Sequence, residues 1–253
     1  MSADHSARVV AAAMAMAGLI AAAGCTATVA GTGTALPTGA PASNQPTSSL
    51  SASQLAQRAH DELAKATSVH ISGDITDDGV RMQLEMTTST SGAEGTVTMM
   101  DAEIQIKLIG SALYLKAPAS FWQQHAGMSS TQATYLASKW LQTTPTDDFA
   151  SLQQFATPAE FAAQLFSDVD LSSLTTADSR TIDSRPAVGL KDPDDDSLLY
   201  VATTGDPDPL ALVAGSGGES SGEMLFTDYG KSVQITAPSP DETLSVPNTV
   251  AHI

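Results

Sequence analysis

From Val69 to Leu115 apolar residues recur at every second position, broken only by short turn signals, and this run constrains the fold more than any other feature. Val69, Ile71 and Ile75 alternate with polar residues, and Asp77-Asp78-Gly79 supplies a turn. Val80, Met82, Leu84 and Met86 then alternate with Arg81, Gln83, Glu85 and Thr87. A period of two places one set of side chains on one face of a strand, so the segment predicts a hairpin with one apolar face. The pattern continues through Gly95 to Met99, then Ile104, Ile106 and Leu108, and after Gly110 through Leu113 and Leu115. About five strands with such short links predict an antiparallel meander with one face in water.

The flanking segments change period. Ser51 and Gln54 form a capping-box pattern, after which Leu55, Ala59, Leu63 and Ala66 recur at helical spacing. Pro118 ends the strand run, and the stretch from Ala119 to about Leu174 reads as helical, carrying Phe121, Trp122, Tyr135, Trp140, Leu141, Leu152 and Phe155. Thr157-Pro158-Ala159-Glu160 opens its last helix with a cap, a proline in the first turn and an acid near the positive end of the dipole; Phe161, Leu165 and Phe166 make its apolar stripe. Strands return at Arg180 to Asp183, Ala187 to Leu190, Leu198 to Val201, Leu210 to Val213, Glu223 to Phe226 and Val233 to Thr236. Segregated strands and helices predict an α+β fold: a large curved antiparallel sheet wrapped over a helical layer, its two strand runs being distant parts of one sheet.

Cys25 is the chain's one cysteine, and it follows the uncharged run from Val9 to Gly24. That run of 16 residues is shorter than the ~20 a membrane-crossing helix needs, and with Arg8 ahead of it reads as a signal peptide over residues 1–24. The small residues before Cys25 resemble the lipobox of exported bacterial lipoproteins, with Ala22 standing where a larger aliphatic residue is usual. Thr26 to Leu50 is Thr, Ser, Ala, Gly and Pro with almost no bulky apolar side chain, so residues 25–50 read as an acylated cysteine and flexible linker. Such a coil reaches roughly 25 to 30 Å. Residues 51–253 form the folded domain, held without a disulfide.

Asp and Glu total 28 against 11 Lys and Arg, a net charge of −17 that loss of Asp4 and Arg8 with the leader leaves unchanged. Such a surface repels nucleic acid and gains nothing from an anionic bilayer. Attachment to the extracytoplasmic face of the cell membrane therefore falls to the acyl chains on Cys25, at least two of which are needed for a stable anchor.

Motifs for catalysis or metal binding are absent or out of context. His60, His70, His125 and His252 are not spaced as metal ligands. Gly218-Glu-Ser220-Ser-Gly222 matches a nucleophile elbow formally, but a strand follows it where that motif needs a helix. Asp192 to Asp196 lacks the spacing and closing glutamate of a calcium loop and reads as a solvated turn. No enzyme activity, cofactor or metal is expected.

Several short motifs, in order, resemble the mycobacterial LppX/LprG type of lipoprotein: Val69-His-Ile-Ser-Gly-Asp, Gly110-Ser-Ala-Leu-Tyr-Leu-Lys, Ser138-Lys-Trp-Leu, Arg185-Pro, and the run from Phe226 to Pro238. The resemblance covers about Leu55 to Val246. It implies a half-barrel sheet akin to the periplasmic carrier LolA, closed over helices around an apolar cavity for the acyl chains of lipids or lipoglycans. Alternation places Val80, Met82, Leu84, Met86, Met99, Ile104, Ile106, Leu108, Leu113 and Leu115 on the lining of such a cavity, faced from the helical layer by Leu152, Phe155, Phe161 and Leu165. Met82, Met86, Met99 and Met100 add side chains that adapt to variable ligands, and serve equally as core filler. The expected partners are an acyl lipid or lipoglycan and the membrane, with a transporter as a further candidate and a monomer as the expected state. The alternative is an envelope sensor or protein-interaction domain on the same scaffold, with a collapsed core and a functional acidic surface.

Overall fold

The computed structural model describes residues 50–77, 79–99, 101–144, 152–215 and 221–245. Helix α1 (Ala52–Lys65) opens the domain. Its capping box is formed: Gln54 N–H donates to the Ser51 hydroxyl at 3.2 Å, and the Ser51 N–H donates to Gln54 Oε1 at 3.0 Å. Leu55, Ala56, Ala59 and Leu63 are its buried stripe.

The strand run folds as the period of two requires. Strands β1 (Ser68–Asp77), β2 (Val80–Ser89), β3 (Gly92–Met99), β4 (Ala102–Ile109) and β5 (Ala112–Lys116) pair in sequence order, all antiparallel. Ile71 faces Met86 and Ile75 faces Met82 across the first hairpin, so apolar residues share one face. Asp78 and Met100 lie outside the described residues.

Helices α2 (Ala119–His125) and α3 (Ser130–Ala137) follow. Trp122 is buried there and donates its indole N–H to the Ala117 carbonyl at 3.1 Å, which makes it an anchor of this small helical corner. The helical expectation for Trp140 and Leu141 is overturned. They belong to strand β6 (Trp140–Thr143), which extends the sheet beyond β5 through pairs such as Leu115 with Leu141. Four residues are too few for alternation to show in sequence, and the open edge of β5 supplies the missing hydrogen bonds. Helix α4 (Pro158–Leu165) has the expected start, with Glu160 N–H donating to the Thr157 hydroxyl at 3.2 Å.

Strands β7 (Thr175–Ile182), β8 (Arg185–Lys191), β9 (Leu198–Ala202), β10 (Pro209–Val213) and β11 (Ser221–Thr227) form the second antiparallel run. β11 pairs with β1, setting Ile71 against Phe226, and so joins the two runs into one sheet. A short strand β12 (Thr243–Ser245) lies parallel to β6 and completes the order β12-β6-β5-β4-β3-β2-β1-β11-β10-β9-β8-β7, twelve strands in all among the described residues.

The expected strand at Val233 to Thr236 does not form. The chain instead runs as an extended strap from β11 at the centre of the sheet to β12 at its edge. Its successive moorings are the Ser68 hydroxyl donating to the Lys231 carbonyl, the Lys107 ammonium donating to the Thr236 carbonyl, and the Lys139 ammonium donating to the Asp241 carbonyl. Lys107 and Tyr114 are cross-strand partners on the face opposite Ile106 and Leu113, so the strap crosses the outer face. Ile235 and Tyr114 are both buried. The outer face, expected to be wet throughout, is partly covered for that reason.

Candidate functional site

The inner face of the sheet and the helical cover meet in one continuous apolar cluster. Met82, Leu84, Met86, Ile106, Leu108, Leu113 and Leu115 reach it from β2, β4 and β5, and Val69, Ile71, Met224 and Phe226 from the centre of the sheet. From the cover come Phe155, Phe161 and Leu165. Ile104 and Leu152 are partly buried against this cluster. Met99 is half-buried at the end of β3, opposite Met82. Val80 is not on the lining: at 37% exposure it sits beside the turn of the first hairpin, paired with Asp77. Cys25 lies outside the described residues, as do Ser220 and His252.

Aromatic rings tie cover to sheet. Phe155 stacks on Phe161 with centroids 5.5 Å apart, and Phe161 meets Phe226 of β11 at 5.7 Å. These separations are in the range where aromatic pairs add to plain burial. A second cluster, built on Leu55, Ala59, Leu190 and Val201, lies between α1 and the β8–β9 part of the sheet. Phe166 and Leu199 pack against both clusters and mark the seam between them. The Phe166 ring also makes a T-shaped contact with the His60 ring of α1, centroids 5.4 Å apart.

A recess opens at this seam. Leu165, Phe166, Leu190, Leu199 and Leu212 line it, and Asp168, Asp192, Asp195 and Ser197 stand around them. Its volume of about 40 Å³ holds a water or a few, far below the ~300–1,000 Å³ of pockets that enclose a drug-sized ligand. The surrounding side chains therefore close on one another here, and an alkyl chain enters only if they part.

Asp192 and Asp195 of the rim come from the loop between β8 and β9, and Asp168 from the segment after α4. Asp192 Oδ1 accepts from the Asp194 N–H at 2.9 Å and Asp195 Oδ1 from the Ser197 N–H at 2.7 Å, so the loop's own backbone fixes both side chains. Asp195 is buried, unlike the fully solvated turn expected from the sequence. Gly215 allows that burial: a Cβ there would lie 1.8 Å from the Asp195 carbonyl oxygen. Among the described residues no group of three or more His, Cys, Asp or Glu is arranged to hold a metal ion.

The recess residues on β8, β9 and β10 were missed in the sequence because Leu198 to Val201 and Leu210 to Val213 are continuously apolar, and alternation assigns such runs to no face. Tyr200 and Ala202 do in fact serve a separate cluster with Ala187 and Leu210, whereas Val201 packs against α1. Of the other aromatic candidates, Trp140 is half-buried with the Lys107 and Lys116 ammonium groups each 5.8 Å from its ring, and Tyr135 is exposed.

No protein-family model matches the chain, and no curated protein matches it in sequence. Solved structures do. LprF from Mycobacterium bovis superposes with a TM-score of 0.51 at 11% identity, covering 74% of this chain and 97% of LprF. The Mycobacterium tuberculosis lipoprotein LppX aligns over 73% of this chain and 97% of its own, at 12% identity and a TM-score of 0.48. MucB in complex with MucA(peri) is more distant, with a TM-score of 0.37 at 13% identity, over 74% of this chain and 59% of MucB. The open twelve-stranded sheet with its helical cover is thus an α+β fold shared with LprF.

Proposed function

We propose that this chain is a lipoprotein of the bacterial cell envelope, tethered by an acylated Cys25, and that its apolar interior takes up an acyl chain of a lipid and releases it again without chemical change. The observation that carries the reading is the seam recess, whose leucine floor belongs to the apolar clusters beneath the sheet. Taking an alkyl chain from water into such surroundings gains ~0.8 kcal/mol per methylene, and from a bilayer close to nothing. That balance suits a carrier, which has to let go of what it binds. The described residues contain no helix long and apolar enough to cross a membrane, which leaves acylation as the anchor in this reading.

Uptake in this scheme requires α4 and Phe166 to lift from β9 and β10, because the recess at rest is too small. Phe166 is suited to such a role: it caps the C-terminal end of α4, is only partly buried, and bridges the two clusters that would separate.

The test is to incubate the purified chain with lipid vesicles, re-isolate it, extract with organic solvent and identify the lipid by mass spectrometry. Acyl lipid near one molecule per chain is expected. Leu199→Trp, which fills the recess from its floor, should reduce loading several-fold with the fold retained by circular dichroism. A chain that stays free of lipid under these conditions overturns the reading and favours a protein-interaction domain.

A further inference from the structure

We infer that the Thr88 hydroxyl is a binding point for a hydroxyl group borne along the acyl chain, so that the interior favours hydroxylated acyl chains over plain ones. That role rests on the acyl-chain reading of the interior and narrows the class of chain it takes. Thr88 stands on the inner face of β2 between Val69 of β1 and Ala93 of β3, both members of the apolar cluster beneath the sheet. It is 0% exposed, and among the described residues its Oγ1 has no hydrogen-bond partner. The buried serines nearby are satisfied: Ser68 donates to the Lys231 carbonyl and Ser89 to the Gly92 carbonyl.

An unpaired buried hydroxyl costs free energy that valine, its match in shape, avoids. A position that needed only filling would carry valine, as Val69 beside it does. A lone water is poorly held there, because it needs several polar partners and the side chains of Val69, Met86, Ala93 and Leu108 on this face are apolar. A ligand hydroxyl relieves the cost, since the threonine hydroxyl both donates and accepts.

The recess leads towards this point. Leu165 and Leu212 line it and belong to the same cluster as Val69 and Ala93. Leu212, Met224, Gly73 and Leu84 stand in register across β10, β11, β1 and β2, and Thr88 follows Leu84 on the same face of β2. On a flat sheet the offset from Leu212 to Thr88 is roughly 19 Å, the span of about fifteen carbon–carbon bonds. A stearoyl chain entering past Leu212 therefore brings its distal half, not its head, to Thr88.

Methyl stearate, methyl 12-hydroxystearate and methyl 2-hydroxystearate share chain length and an uncharged head. The full chain is incubated with phosphatidylcholine vesicles holding the three esters in equal amounts, re-isolated and extracted, and mass spectrometry gives each ester's content in the protein relative to the vesicles. Enrichment of the 12-hydroxy ester over methyl stearate by about fivefold is expected, the return of one buried hydrogen bond, with no enrichment of the 2-hydroxy ester. Thr88→Val should abolish the enrichment, while Thr96→Val, on the opposite face of β3 from Val97, should retain it. Thermal melting of the lipid-free chain gives a second readout: Thr88→Val should have an equal or higher Tm, because no bond is lost. Equal loading of the 12-hydroxy and plain esters overturns the inference and leaves the acyl-chain reading standing. Equal enrichment of the 2-hydroxy ester, enrichment that survives Thr88→Val, or a clear fall in Tm in that variant overturns it in the same way. Absence of all three esters from the protein overturns the acyl-chain reading, and the inference with it.

Discussion

Phe161 links the helical cover to the centre of the sheet, stacked on Phe155 and in edge contact with Phe226. Phe161→Ala would leave a cavity among side chains that are already fixed, with an expected loss of ~3–5 kcal/mol. Against a typical total of ~5–15 kcal/mol this is severe, and urea unfolding monitored by tyrosine and tryptophan emission would measure it. Gly95 shows the opposite sensitivity. A Cβ there would lie 2.0 Å from the Glu85 carbonyl oxygen, so even Gly95→Ala pushes β3 away from β2. A loss of ~1–3 kcal/mol is expected in the same assay.

Asp208 gives the residue scale a pH dependence. Burial raises its carboxyl above the ordinary aspartate value, although Arg185, 2.8 Å away, pulls in the other direction. The folded chain thus holds this proton more tightly than the unfolded chain. The resulting stabilisation is complete below the ordinary aspartate range and is lost as pH rises through the folded value. Asp208→Asn should remove that loss: thermal scans across the weakly acidic range should show a smaller fall in Tm with rising pH than the parent shows. An unchanged slope would mean that Arg185 compensates the burial fully.

At the scale of elements, α4 is the piece that has to move in the proposed uptake, and its hold on the structure begins at Thr157. The hydroxyl accepts from the Glu160 N–H, satisfying a donor that the first turn leaves open. Thr157→Ala should cost ~1 kcal/mol. It should also speed amide exchange over residues 161–166 more than over β2 or β4, since the loosened element is local. Both caps, Ser51 on α1 and Thr157 on α4, were legible in the sequence because a cap and its partner stand three residues apart. The same holds for the first five strands, whose links are short and whose alternation is long. β6 and the strap were not legible. Trp140 to Thr143 becomes a strand because β5 offers an open edge, and Val233 to Thr236 fails to become one because its anchors, Ser68 and Lys107, come from distant parts of the chain. The recess lay in the same blind spot: its floor draws on α4, β8, β9 and β10, and its one fully buried acid, Asp195, sits in a run that reads as a surface turn.

For the molecule as a whole, the pairing of β1 with β11 decides that there is one sheet and one body rather than two small sheets. Heating should therefore give a single cooperative transition by both far-ultraviolet circular dichroism and tryptophan emission, as shared burial across the joint requires. The net charge of −17 gives this body no attraction to an anionic surface, so attachment in the proposed scheme depends on Cys25 alone. Cys25→Ser should move the protein from the membrane fraction to the soluble fraction and abolish incorporation of labelled fatty acid. Continued membrane association of that variant would point to another anchor.

By itself the sequence determined the opening helix and the first five strands, the apolar face of each of those strands, the start of α4 and the α+β class, because these follow from residues within a few positions of one another. Only the tertiary structure decided how the two strand runs join, that a strap covers the outer face, and that an apolar recess with an acidic rim opens where α4 meets β8, β9 and β10. Those features depend on contacts between residues far apart along the chain, such as Ser68 with Lys231, and no local pattern of hydrophobicity encodes which distant edge a strand will find.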